Sequence, residues 1–102
     1  MKDFASRVYG LTKRVPRGKV TTYGEIARAM RTKGCRAVGN ALHKNPTPVI
    51  VPCHRVVKSD GSIGGFALGK RKKIKLLEKE RVKIRNGRII NFENKLFKFK
   101  RS

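Results

Sequence analysis

Pro52 restricts this chain more than any other residue. It stands within the apolar run Pro48-Val49-Ile50-Val51-Pro52-Cys53-His54-Arg55-Val56-Val57. It lacks a backbone N–H and fixes its own φ, so neither a helix nor a central strand can run through it. Cys53 is therefore expected in a turn or at a strand end, where a thiol can face a pocket. The thiolate is the nucleophilic form of cysteine, and an adjacent imidazole or guanidinium can favour it. Adjacency alone does not supply that help. Successive side chains on a strand point to opposite faces, so Cys53 and His54 can cooperate only through a distorted backbone or a bridging water.

The chain has 102 residues, which predicts one domain over 1–102 with a modest core. Lys and Arg number 27 against 6 Asp and Glu, a net charge of +21. Such an excess marks a polyanionic partner, and nucleic acid is the economical choice. The cations run through both halves of the chain, so no detachable basic tail accounts for them. No apolar run approaches membrane-spanning length and no apolar segment opens the chain, so an intracellular, cytoplasmic and nucleoid-associated protein with no membrane partner is expected. Cys35 and Cys53 read as thiols in a reducing compartment, with Cys35 a small buried hydrophobe. Together with His43 and His54 they match no zinc-ligand spacing, so no metal or cofactor is expected.

In chain order, residues 2–13 read as a helix with Phe4, Val8, Tyr9 and Leu11 on its apolar face, ending near Pro16. Val20-Thr21-Thr22 is a short β-prone piece. Thr21 or Thr22 can cap a second helix, because Glu25 follows Thr22 at the capping-box spacing, and Ile26, Ala27 and Met30 give it an inner side. A third helix from Cys35 to His43 turns Val38, Ala41 and Leu42 inward and carries Arg36, Asn40 and Lys44. The two form the outline of a helix-turn-helix over about 22–44. An active-site loop over 45–67 follows, in which Ser59-Asp60-Gly61-Ser62 predicts a turn and a small hairpin between Val56-Val57 and Ile63. A basic helix over 70–80 has Ile74, Leu76 and Leu77 as its buried stripe and a solvated face that attracts phosphates. In the tail, 82–102, Asn86-Gly87 predicts a hairpin between Val82–Arg85 and Arg88–Phe92. The fold class expected is mostly α with small β elements: a winged helix-turn-helix-like domain with the active-site loop beside the recognition helix and a short C-terminal hairpin.

These residues carry a resemblance. Asn45-Pro46 and Pro52-Cys53-His54-Arg55-Val56, with Arg36-Ala37-Val38-Gly39 and Arg17-Gly18-Lys19-Val20-Thr21-Thr22-Tyr23 upstream, resemble the O6-alkylguanine-DNA alkyltransferase family over roughly residues 4 to 80. The resemblance implies direct-reversal DNA repair, in which an alkyl group moves once from O6 of a flipped guanine to the protein's own cysteine. Cys53 would be the acceptor, His54 its base through a water, and Glu80 the group that holds His54 in the right tautomer. Asn45 resembles the hinge asparagine, and Tyr23 the tyrosine that crowds the 3′ phosphate and donates to the base. Arg36 resembles the finger inserted from the minor groove. Thr22, Ala37, Gly39, Asn40 and Lys44 join it and Tyr23 as expected DNA contacts. Leu42, Val56, Gly64, Phe66, Ala67 and Lys73 would form the substrate pocket with Tyr23, and Arg55 would brace the loop by pairing with a carboxylate. The partner implied is double-stranded DNA containing O6-alkylguanine, bound by a monomer.

Two departures from the family pattern stand out. The chain begins almost at the DNA-binding part, so the family's extra N-terminal domain is expected to be absent. Phe66 and Ala67 occupy positions often held by tyrosine and serine. The short length resembles the alkyltransferase-like proteins, which bind alkylated DNA without the acceptor cysteine, whereas Cys53 is present here. A non-catalytic sensor of alkylated DNA and a plain helix-turn-helix DNA-binding protein are the alternatives to a suicide alkyltransferase.

Overall fold

The computed structural model describes residues 3–46, 50–66 and 68–99. Helix α1 (Phe4–Thr12) starts where Asp3 Oδ1 accepts from Ser6 N at 2.8 Å and buries Val8 and Thr12, four residues apart on one face. Strand β1 (Thr21–Thr22) runs straight into α2 (Tyr23–Ala29), and Thr22 Oγ1 accepts from Glu25 N at 2.9 Å, the cap expected from the spacing. Glu25 turns instead to Arg28, 2.7 Å away. After a turn with Arg31 at φ 57°, α3 (Cys35–His43) buries Val38, Ala41 and Leu42. Tyr9 Oη donates to Ala41 O at 2.7 Å and fixes α3 on α1. The three helices close over a first core layer of Val8, Val15, Ile26, Met30, Val38, Leu42, Val56 and Phe99.

The predicted hairpin between Val56-Val57 and Ile63 does not form. Residues 58–62 do make a tight turn, with Lys58 N donating to Ser62 O at 2.9 Å, but β2 (Val56–Val57) pairs in parallel with β1, Thr21 beside Val56 and Thr22 beside Val57. Alternation along a strand explains why. Val56 belongs to the first core layer and Val57 to a second, formed by Val20, Val57, Ile63, Leu77, Val82 and Ile89. Only a strand set between two layers buries both valines, whereas an isolated hairpin would leave one face wet.

Helix α4 (Lys70–Lys79) begins after Gly69 at φ 94° and covers the second layer. Its buried residues are Lys73 and Leu77. Leu76 and Ile74 are only half buried, so the stripe is rotated from the one expected, because Lys73 takes an inward position of its own. Strands β3 (Ile84–Arg85) and β4 (Arg88–Ile89) pair through Asn86 and Gly87, both at positive φ, the turn that Asn-Gly favours. Phe92 does not extend that hairpin. It opens the short helix α5 (Phe92–Lys95), after which the chain returns to β1: Val20 N donates to Lys95 O at 2.9 Å and Phe97 N to Val20 O at 2.7 Å. Phe99 ends buried in the first layer, its ring edge-on to Phe97 at 5.3 Å. The result is mostly helical with few strands, and α2 and α3 form its helix-turn-helix.

The returning tail therefore contributes to stability although it follows the hairpin. Phe99→Ala should lower the unfolding free energy by about 3 kcal/mol, the usual loss for a buried phenylalanine. Chemical denaturation measures it, and a change under about 0.5 kcal/mol, within the range of surface substitutions, would show the tail undocked.

Candidate active site and nucleic-acid interface

Pro52 has φ −78° and ψ 64°, and Cys53 N donates to Val51 O at 2.7 Å, which is an inverse γ-turn. One turn of 3-10 helix, Cys53–Arg55, follows, with Arg55 N donating to Pro52 O at 2.9 Å. The backbone at Cys53 thus departs from strand geometry, as Pro52 predicts. Cys53 is 5% exposed and His54 1% exposed, so both are buried instead of one facing solvent. The thiol lines a cleft of about 280 Å³ between α3 and the loop before α4. Tyr23 enters it from α2. Gly39, Asn40, Leu42 and His43 form its α3 side, and Gly65 and Phe66 its far wall. Asn45, just past α3, donates from Nδ2 to Val51 O at 3.0 Å and reaches Cys53 Sγ at 3.5 Å, which ties the end of α3 to the loop.

Glu80 caps α4 at its C-terminal end and meets two consecutive residues of the 3-10 turn. Arg55 donates from Nε to Oε1 at 2.9 Å and from Nη2 to Oε2 at 2.7 Å, and from Nη1 to Val15 O at 2.9 Å. His54 Nε2 lies 3.1 Å from Glu80 Oε2. Burial alone would raise the Glu80 carboxyl, but the hydrogen bonds from Arg55 and His54 outweigh it and hold the pKa below the ordinary value. Burial lowers the His54 pKa despite the pull of Glu80, so the imidazole is neutral near pH 7. A neutral imidazole beside an ionised carboxylate donates to it, which assigns the proton to Nε2. Nδ1 then carries the lone pair, and it has no hydrogen-bond partner among the described residues.

Lys73 is fully buried, and Nζ donates to Val56 O at 2.7 Å and to Gly65 O at 3.0 Å. It thus holds the far wall of the cleft to β2. Burial lowers its pKa to about 8, against the opposing pull of Cys53. Burial, and then Cys53, raise the Tyr23 phenol, so it keeps its proton and can donate. The Tyr23 ring packs beside Gly39, and a Cβ on Gly64, at φ 71°, would come within 3.4 Å of Tyr23 Oη. Phe66 stands edge-on to His54 at 6.3 Å.

The chain and its fold have counterparts among known proteins. The family model described as 6-O-methylguanine DNA methyltransferase, DNA binding domain, matches residues 3–82. The chain belongs to that family. It is 56% identical over 81 residues to the methylated-DNA--protein-cysteine methyltransferase of Thermococcus gammatolerans, covering 78% of this chain and 45% of the relative. The crystal structure of O6-methylguanine-DNA methyltransferase from Pyrococcus kodakaraensis strain KOD1 superposes with a TM-score of 0.72 at 51% identity, over 80% of this chain and 48% of that one. S. pombe Atl1, in complex with damaged DNA containing O6-carboxymethylguanine, superposes at 0.83 with 34% identity, over 96% of this chain and 99% of that one. The chain thus spans about half the length of the methyltransferases it matches and nearly all of Atl1.

Of the residues singled out in the sequence, Tyr23, Gly39, Asn40, Leu42, Cys53 and Phe66 line one cleft, with Asn45 tied to its loop. Val56 does not line it: it is fully buried and its carbonyl is engaged by Lys73. Lys73 lies behind the wall and Gly64 against Tyr23. Arg36, Ala37, Asn40 and Lys44 are exposed along α3, whereas Thr22 is buried with its hydroxyl at the α2 cap. Ala67 lies outside the described residues. Cys35 is exposed in the first turn of α3, not buried as expected, because the inward face of that helix begins at Val38. Gly65 lines the cleft as part of the Gly64 to Ala67 loop expected as its wall, whereas sequence reasoning missed His43 in the lining and the carbonyl of Val15. His43 follows Gly39 by four residues and shares its helix face, a signal that was available. A backbone acceptor leaves none.

The buried lysine gives a pH signature. Its pKa is about 8 folded and 10.5 in the unfolded chain, so between these values the unfolded state binds more protons and stability rises with pH. Lys73→Met should remove that rise, and denaturation at a series of pH values checks it. Equal slopes in both proteins would show that Lys73 is not held as described.

Proposed function

We propose that this protein repairs DNA by moving the alkyl group of O6-alkylguanine in duplex DNA onto Cys53, once per molecule. The observation that carries the reading is the buried Cys53 thiol, set in a cleft beside the second helix of a helix-turn-helix and next to a His54 whose Nδ1 lone pair is left over for a proton. An O-alkyl carbon inside stacked duplex cannot meet a protein sulfur, so the nucleotide must be flipped out at a cost of a few kcal/mol, least for a poorly paired base. The outer side of α3 presents Arg36, Ala37, Asn40 and Lys44 to the duplex from its minor-groove side, and Arg36 fills the space the base vacates.

In the cleft the thiol proton passes through a water to His54 Nδ1, and the charge that results is stabilised by Glu80, which Arg55 keeps ionised. Sulfur attacks the alkyl carbon, the S–C bond forms, and the C–O6 bond breaks. The electrons leave on guanine, and the Tyr23 phenol donates to the base as it departs. A thioether is not a leaving group that water displaces, so the protein is consumed in stoichiometric amount. Asn45 and Lys73 hold the two sides of the cleft in register.

The full-length likeness to Atl1 favours a second reading, recognition of alkylated DNA without transfer. One experiment separates the two. After incubation with a duplex containing O6-methylguanine, the mass of the intact protein should rise by one methyl in place of one hydrogen, and Cys53→Ala should abolish the rise. Preferential binding of the lesion without a mass change would leave the sensor, and no preference a plain DNA-binding protein. Glu80→Gln should slow transfer at least tenfold, a loss of about 1.4 kcal/mol in the barrier, with DNA affinity retained. The rate should hold as pH falls until it drops below the ordinary histidine pKa of 6.5, because burial lowers that of His54. A rate already halved at pH 7 would contradict this assignment of the base.

A further inference from the structure

The outer face of α4 has no part in the cleft, yet it carries a dense row of charge. Lys70, Arg71, Lys72, Lys75 and Lys79 are all exposed, Glu78 is the one exposed acid on the helix, and none of these five cations has an ion partner among the described residues. Arg71, Lys75 and Lys79 follow one another at four-residue spacing, so they line one side of the helix and repel one another. Three of the cations also stand in the first turn, where the helix dipole is positive and no acid or side-chain cap offsets it. The helix is held by Leu77, Lys73 and the Glu80 cap on its inner side, so its outer charge serves no contact within the fold. At its far end the row is continued by Arg17, whose Nη2 donates to Lys79 O at 3.4 Å.

The row starts at the cleft. Gly69 N donates to Phe66 O at 3.0 Å and Lys73 Nζ reaches Gly65 O, so the first turn of α4 follows directly from the wall opposite α3. From Arg71 to Lys79 the helix advances about 12 Å, and along the duplex axis one strand places a phosphate about every 3.4 Å, so each of the three cations can meet a phosphate of its own.

We infer that the outer face of α4 is a second DNA-binding surface, which holds the phosphate backbone of the duplex flanking the damaged site and not the site itself. The inference rests on the reading that the cleft and α3 receive that site. The cations Arg71, Lys75 and Lys79 neutralise phosphates along the flank, add counterion release to the affinity, and read no sequence.

The test compares the full chain with R71Q/K75Q/K79Q, whose exposed positions leave the core untouched, on two lesion duplexes. One ends at the edge of the cleft and the other extends well beyond it. On the long duplex the slope of log affinity against log salt should fall by about 2 to 3 in the variant, close to 0.9 for each phosphate that is no longer neutralised. On the short duplex the slope and the single-turnover mass gain should stay as in the parent. An unchanged slope on the long duplex, or an equal fall on both, would overturn the inference. So would the variant's failure to bridge two separate duplexes that the parent bridges, which would assign the face to a second DNA molecule. The same comparison on long duplex without a lesion keeps the readout independent of alkyl transfer: if no mass gain occurs at all, the proposed function fails while the slope still decides the role of α4.

Discussion

One carboxylate holds the cleft end of this molecule together. Glu80 receives the fork of Arg55 and the Nε2 proton of His54, and Arg55 also reaches Val15 O, so a single acid joins the end of α4, the 3-10 turn and the loop after α1. A carboxylate at this depth needs partners, and a bidentate guanidinium supplies them with fixed geometry. Because Arg55 and His54 are consecutive, the group that keeps Glu80 ionised also determines which imidazole nitrogen is left basic. Removal of Arg55 would therefore disturb the His54 imidazole without touching it.

That arrangement depends in turn on where the turn is placed. The parallel pair of β1 and β2 lies between two core layers, with Val56 in one and Val57 in the other, and each strand hands the chain to a part of the site. β1 leads into Tyr23 at the start of α2, and β2 leaves the turn that holds Cys53 and His54. Two residues of pairing in each strand are enough to fix the phenol and the thiol on one cleft. Lys73 spans from β2 to the opposite wall as a buried strut, and its ammonium, the main form below a pKa of about 8, donates to the two carbonyls it meets.

A chain with 27 cations and 6 acids spends few of the acids on surface pairing. Glu80 is half-buried at the site, Glu25 pairs with Arg28 within α2, and Asp60 pairs with the distant Arg88. The exposed faces of α3 and α4 are left positive on either side of the cleft. Such a surface is complementary to a polyanion.

Features that local chemistry decides were legible before any coordinate. Pro52 forced a break beside Cys53, Thr22 capped α2 through Glu25 N, and Asn86-Gly87 made its hairpin, because each depends on backbone groups within a few residues. Tyr23, Leu42, Asn45, Cys53 and Phe66 were named for the cleft only through the resemblance to the alkyltransferase family, whose motifs stand in the same order here. Four features had to wait for the packed molecule: β2 pairs with β1 and not with Ile63, the chain after Phe92 returns to Val20, Lys73 takes the place in the buried stripe of α4 expected of Ile74 and Leu76, and Cys35 faces out. Each of these follows from which apolar surface is free to be covered once distant elements have met, and that quantity has no local signature.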